Sequence, residues 1–184
     1  MESILSQDYK KYRIVVSADD LPTLKYVKQY NVDHILVEKL HPSPECSFPY
    51  NLYINKLMGM VNNGYILILD DDDYLANKRV LNLIAEKITK PDNIIISRMM
   101  WPTGQVIPSD AFWRKIPIRG QIGMPCFVFH CKWVSAIRFD PHKAADLRFF
   151  LQLYEKARVK TWLNQITVFT GNTGLHGKPI DLTF

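Results

Sequence analysis

Asp70, Asp71, Asp72 and Asp73 stand side by side, directly after the apolar run Tyr65-Ile66-Leu67-Ile68-Leu69. Adjacent like charges repel one another and add no apolar surface to a core. A hard divalent cation such as Mn2+ or Mg2+ takes carboxylate oxygens and removes that repulsion. The alternative is a solvated acidic turn. The apolar run favours the cation, because it predicts a strand buried on both faces, as in a mostly parallel sheet. Open α/β sheets bind their ligands at the carboxyl ends of such strands. If extended geometry continues through the aspartates, Asp70 and Asp72 point together, with Asp71 open to either side. Asp73 then reads as the solvated member.

Other residue types carry weaker chemistry. Asp146 precedes the apolar positions Leu147, Phe150 and Leu151 and sits where a helix begins, so it reads either as a cleft carboxylate or as a favourable charge at a helix N-terminus. Asp20 reads as a helix cap. His34, His41, His130 and His142 have no ligand spacing. Cys46, Cys126 and Cys131 form no Cys-x-x-Cys pair, which excludes a zinc ribbon or a dithiol redox motif and suits a reducing compartment. Trp101 and Trp113 lie in a Pro- and Gly-rich region, as an aromatic stacking platform for a ligand or as ordinary packing.

The elements that must position these residues alternate between helix and strand, which predicts an α/β fold with helices flanking a central sheet. Residues 2–7 read as the end of a helix and Arg13–Ser17 as a β-branched strand. A helix is expected from Leu21 to Tyr30 and a strand from His34 to Val37. From Pro49 to Asn62, Ile54, Leu57, Met58 and Val61 recur at the spacing of one buried helical face. Asn77 can cap a further helix with Val80, Leu81, Ile84 and Ile88 inward, ended by Pro91. Strands follow at Asn93–Ser97, Cys126–Phe129 and Gln165–Phe169, with a helix from Ala144 to Ala157 burying Leu147, Phe150, Leu151 and Tyr154. Residues 101–125 read as a long shaped loop and residues 170–184 as a polar, Gly-rich tail.

With 184 residues, 47% of them hydrophobic, the chain is expected to form one domain with a proper core. Lys plus Arg is 23 against 18 for Asp plus Glu, a net charge of +5. That balance suits a phosphate-bearing ligand or peripheral contact with an anionic membrane. No dense Lys/Arg run asks for nucleic acid. Residues 1–10 lack the apolar stretch of a signal peptide, and no apolar run is long enough to span a bilayer, so a soluble, cytoplasmic protein is expected.

The segment Ser3-Ile4-Leu5-Ser6-Gln7-Asp8-Tyr9-Lys10-Lys11-Tyr12-Arg13-Ile14-Val15-Val16 resembles the part of family 2 glycosyltransferases that reads like SILNQTYKNIEIIVV. Asp70-Asp71-Asp72, at the expected separation and after a buried strand, resembles their Asp-x-Asp motif. Asn55 matches an Asn often found in the preceding helix. The similarity covers residues 2 to 90 well and the rest loosely. It implies a single-domain, Rossmann-like GT-A fold, with a nucleotide-sugar-binding half at 1–97, an acceptor-side half at 98–169 and the tail at 170–184. The strand and Pro-x-Tyr-Asn-type turn that open the family have no counterpart here, so a missing first strand is expected. The family's Asp-Asp-Gly-Ser after the second strand is replaced by Ser17-Ala18-Asp19-Asp20.

The resemblance further implies roles. Asp72 is the chief metal contact. Asp70 approaches the ribose, or the metal through water, and Asp71 shares the nucleotide side. Asp19 touches the nucleobase. Ala144-Ala145-Asp146-Leu147 resembles the Glu-Asp start of a late helix, with Asp146 as the base. His176 completes the metal shell and Lys178 pairs a phosphate, unless that segment is a free terminus. The implied activity is a metal-dependent, inverting transfer of sugar from a nucleoside-diphosphate sugar to a glycan, glycoprotein or other hydroxyl acceptor. Two alternatives stay open. One is a degenerate module that binds nucleotide sugar without turnover. The other is a sugar-phosphate nucleotidyltransferase, which should carry a Gly-rich phosphate loop that is not visible here.

Overall fold

The computed structural model describes residues 1–171. Two sheets carry the chain. In the smaller, β1 (Val15–Ala18) pairs in parallel with β2 (Asp33–Leu36), and α2 (Leu21–Val27) connects them. Asp20 starts α2 as its composition predicts: its carboxylate accepts a hydrogen bond from Thr23 N at 2.7 Å, and a proline occupies the first turn. The larger sheet has six strands in the order β3 (Tyr65–Leu67), β7 (Phe127–His130), β5 (Asn93–Met100), β8 (Val159–Phe169), β4 (Tyr74–Leu75), with β6 (Val106–Ile107) also paired to β5.

The expectation of a mostly parallel sheet is corrected. β5 and β8 are parallel, but β3–β7, β7–β5, β5–β6 and β4–β8 are antiparallel, so the sheet is mixed. The physical reason lies in β7. It is apolar and buried like β5, and it runs between β3 and β5 in the opposite direction. Those two strands therefore point the same way without touching. The apolar run at residues 65–69 is also less enclosed than expected. Only Ile66 is buried, because β3 is an edge of this sheet among the described residues. β5 is the enclosed strand: every residue from Asn93 to Met99 is buried.

Helices cover the sheets. In α3 (Tyr50–Gly59), Met58 joins the main core with Ile54 and Val61 against it. α4 (Val80–Ala85) buries Val80 and Ile84, whereas Ile88 lies beyond the helix and is exposed. α5 (Ala145–Lys156) buries Ala145, Phe149, Phe150 and Leu153, a face rotated from the expected one, with Leu147, Leu151 and Tyr154 at its margins. Aromatic packing sets that rotation. Phe149 stacks on Phe139 at 4.1 Å between centroids and meets Phe127 and Phe129 of the sheet.

The N-terminal helix α1 (Glu2–Leu5) is tied to the acidic region by one side chain. Gln7 is fully buried, and its amide is satisfied three times. Nε2 donates to Ser3 O at 2.9 Å and to Asn77 O at 2.8 Å, and Oε1 accepts from Leu81 N at 3.0 Å. Ser3 Oγ also accepts from Leu75 N at 3.2 Å. The segment that carries the family resemblance thus fastens α1 to the chain on the far side of the aspartates. Gln7→Ala leaves these buried groups unpaired and should cost on the order of 3 kcal/mol. Urea unfolding at neutral pH measures it; a loss below about 0.5 kcal/mol contradicts the role.

Candidate active site

β3 leads through Ile68 and Leu69 into Asp70. Extended geometry stops there, because residues 71 and 72 form a turn. Asp73 closes it: its Oδ2 accepts from Asp70 N at 3.0 Å, while Asp73 N donates to Asp70 O at 3.1 Å. Two expectations are thereby corrected. Asp70 and Asp72 are not related by strand alternation, and Asp73 is not a solvated bystander. Its short side chain folds back to satisfy the backbone, as aspartates do in turns.

The turn concentrates negative charge. Asp70 keeps solvent-exposed surface at the rim, yet protein crowds its carboxyl, and that crowding is the main reason its pKa rises to about 6. The charges of Asp72, Asp71 and Asp146 push in the same direction. Asp73 rises further, to about 7, first through burial and then through Asp70, Asp72 and Asp71, against the lowering hydrogen bond from Asp70 N. Both shifts follow from losing water and gaining like charges.

Asp146 arrives from a distant part of the chain and stands close enough to raise Asp70. It opens α5, where Oδ1 accepts from Leu147 N at 2.8 Å, and burial raises its own proton affinity above the usual carboxylate range. The helix-start reading of this residue holds, and its charge also reaches Asp70. Asn55 positions it indirectly. Its amide grips the backbone of Phe139 from both sides, Nδ2 donating to Phe139 O at 2.8 Å and Oδ1 accepting from Phe139 N at 3.0 Å. Phe139 in turn stacks on α5. Arg148, one turn into the helix, forks onto Asp140 at 2.5 and 2.6 Å.

Other candidates have surroundings of their own. Asp19 belongs to the end of β1 in the smaller sheet, with Lys39 Nζ 4.0 Å from its carboxylate. Trp113 is packing: it meets Trp162 edge-on at 5.0 Å, with the Arg98 guanidinium 4.4 Å from its ring centre. Trp101 is exposed. Cys126 is fully buried, and its thiol is pushed up to about 12, so it is no nucleophile. His176 and Lys178 lie outside the described residues. Among the described residues, no three His, Cys, Asp or Glu side chains already form a ligand set for a metal ion.

Gly171 escaped the sequence reading. It follows β8 and lies so close to the acidic turn that an added Cβ would overlap the carbonyl oxygen of Asp72 and come within 2.9 Å of its Cβ. The available signal was a glycine just after a strand, a common mark of close backbone approach. Nothing local tied it to residues a hundred positions away.

No protein-family model and no curated protein matches the chain. Solved structures do. Residues 1–349 of S. aureus TarS superpose with a TM-score of 0.73 at 19% identity, covering 92% of this chain and 54% of that one. The same portion of TarS in complex with UDP gives 0.73 at 20% identity, again over 92% and 54%. A longer TarS structure gives 0.71 at 19%, covering 92% of this chain and 33% of that one. The chain thus spans about half the length of the 1–349 structures. TarS is a family 2 glycosyltransferase. At such identity the likeness is one of fold, and the chain has the mixed α/β fold of that glycosyltransferase neighbour.

Proposed function

We propose that the chain is a metal-dependent, inverting glycosyltransferase that moves a sugar from a nucleoside-diphosphate sugar to a hydroxyl acceptor, a glycan or glycoprotein. One observation supports this most: Asp146 and the Asp70–Asp73 turn converge on one acidic rim although they lie far apart in sequence. The fold likeness to TarS, solved with UDP, favours a uridine diphosphate donor.

The donor set suits a hard cation. Carboxylate oxygens are what Mg2+ and Mn2+ take, and such ions often use one or two carboxylates plus substrate phosphates. Asp72 and Asp70 would hold the ion, which when bound supplies positive charge for the departing diphosphate. The remaining work falls to the chain. Asp71 and Asp70 face the ribose side and Asp19 the nucleobase. His176 and Lys178 enter only through the family resemblance, as a metal and a phosphate contact. Asp146 accepts the proton of the acceptor hydroxyl while that oxygen bonds to the anomeric carbon. The bond from that carbon to the diphosphate breaks on the opposite face, so configuration inverts. Burial suits Asp146 to this, since a raised pKa makes it a better proton acceptor. Residues 1–97 would then serve the donor and 98–169 the acceptor.

Isothermal titration with uridine diphosphate, with and without manganese, tests the reading. Manganese should tighten binding in the wild type and not in Asp72→Asn; equal enhancement in both contradicts the metal role. Asp146→Asn should bind the nucleotide within about threefold of wild type yet lose on the order of a hundredfold in transfer or donor hydrolysis. Wild-type binding without any turnover would favour a binding module instead.

The raised carboxyls also predict a pH dependence. Asp70 and Asp73 bind protons more readily folded than unfolded, where carboxyls titrate near 4, so the folded chain holds more protons from about pH 4 to about 7. Stability contributed by these groups therefore falls as pH rises through that window. Asp73→Asn keeps an acceptor for Asp70 N and removes one charge. Its melting temperature should exceed wild type at about pH 8 and depend less on pH between about 5 and 8. Differential scanning calorimetry at matched ionic strength checks this, and parallel profiles for the two proteins would refute it.

A further inference from the structure

We infer that the loop at Arg114–Arg119 is a docking site for an anionic lipid surface. From Ala111 to Phe139 the chain contains no Asp or Glu, while Arg114, Lys115 and Arg119 fall within six consecutive residues. All three are exposed, and none is in an ion pair among the described residues. Between them, Ile116 is 64% exposed and Ile118 49%, whereas Pro117 is buried. Burial alternates, so the two isoleucines leave one side of an extended segment. A scattered exposed aliphatic needs no explanation. Two on one face, ringed by three unpaired cations, make a local amphipathic surface of the kind that enters a lipid interface.

The loop is built rather than loose. At its start, Asp110 pairs with the buried Arg98 at 2.7 Å, and Trp113 packs under the same guanidinium. At its close, Gln121 Oε1 accepts from Ser109 N at 2.9 Å, and Ile122 is buried. The fold thus pins both ends and turns two isoleucines outward. The loop also leaves and rejoins the sheet near Met99 and Met100, at the carboxyl end of β5. Since β3 runs parallel to β5, the acidic turn lies at that same end of the sheet.

Charge complementarity selects an anionic partner, and the isoleucines select a lipid surface over a soluble polyanion, which would give aliphatic side chains no apolar phase. This proposal stands apart from the glycosyltransferase reading.

Co-sedimentation of the full chain with phosphatidylcholine vesicles, with and without phosphatidylglycerol, tests it, without added nucleotide. Wild type should bind the phosphatidylglycerol vesicles, less so as salt rises, and bind neutral vesicles weakly. Ile116→Ser with Ile118→Ser should weaken partition at least tenfold. Arg114→Gln, Lys115→Gln and Arg119→Gln together should weaken it on the order of a hundredfold. Both variants should keep the wild-type melting temperature. Absence of vesicle binding, or equal partition of all three proteins, would overturn the proposal. So would full retention of the isoleucine variant on heparin together with unchanged vesicle binding, which assigns the cations to soluble polyanions.

Discussion

Carboxylates crowded at one rim repel, and only a fold that already surrounds them can hold them there. The turn from Asp70 to Asp73 is stitched by its own backbone and by the Asp73 side chain, so its charges cannot spread apart. Asp146 is delivered to the same rim by a helix whose position is set by stacked aromatics rather than by any attraction to the turn. The cost of assembling these charges is borne by the apolar core beneath, where β5 is buried over nearly its whole length. The raised proton affinities of Asp70 and Asp73 are the visible consequence of that crowding.

Polar staples transmit that constraint across the chain. Gln7 joins α1 to the region following the turn, and Asn55 joins α3 to the strand-like residues before α5. Each is an amide using both its donor and its acceptor against backbone groups, the arrangement that makes a buried polar group stabilising instead of costly. Both belong to the part of the chain that resembles family 2 glycosyltransferases. Their role here is architectural: they fix the frame in which the acidic side chains meet.

Legibility followed the range of the interactions involved. The Asp20 cap and the strand leading toward the aspartates depend on neighbours within a few residues and are present, whereas α3 ends at Gly59, short of Val61, and buries Tyr53 beside Met58. β8 was anticipated from Gln165 but begins at Val159, since its first half carries Lys160, Thr161 and Asn164 and gains its strand character by pairing with β5. The observed face of α5 differs from its local pattern because Phe149 and Leu153 rank above Leu151 only through where Phe127, Phe129 and Phe139 lie. The direction of β7 left no local trace: buried strands of either sense read alike.

The amino-acid sequence alone determined an α/β chain, the acidic segment following an apolar run, and the start of a late helix at Asp146, because each is written in contiguous residues. The tertiary structure alone decided that the sheet is mixed, that Asp73 folds back on Asp70, that Gly171 lies against Asp72, and that the charge of Asp146 reaches Asp70. The reason is that proximity between distant segments comes from strand order and side-chain packing, which depend on the whole chain at once.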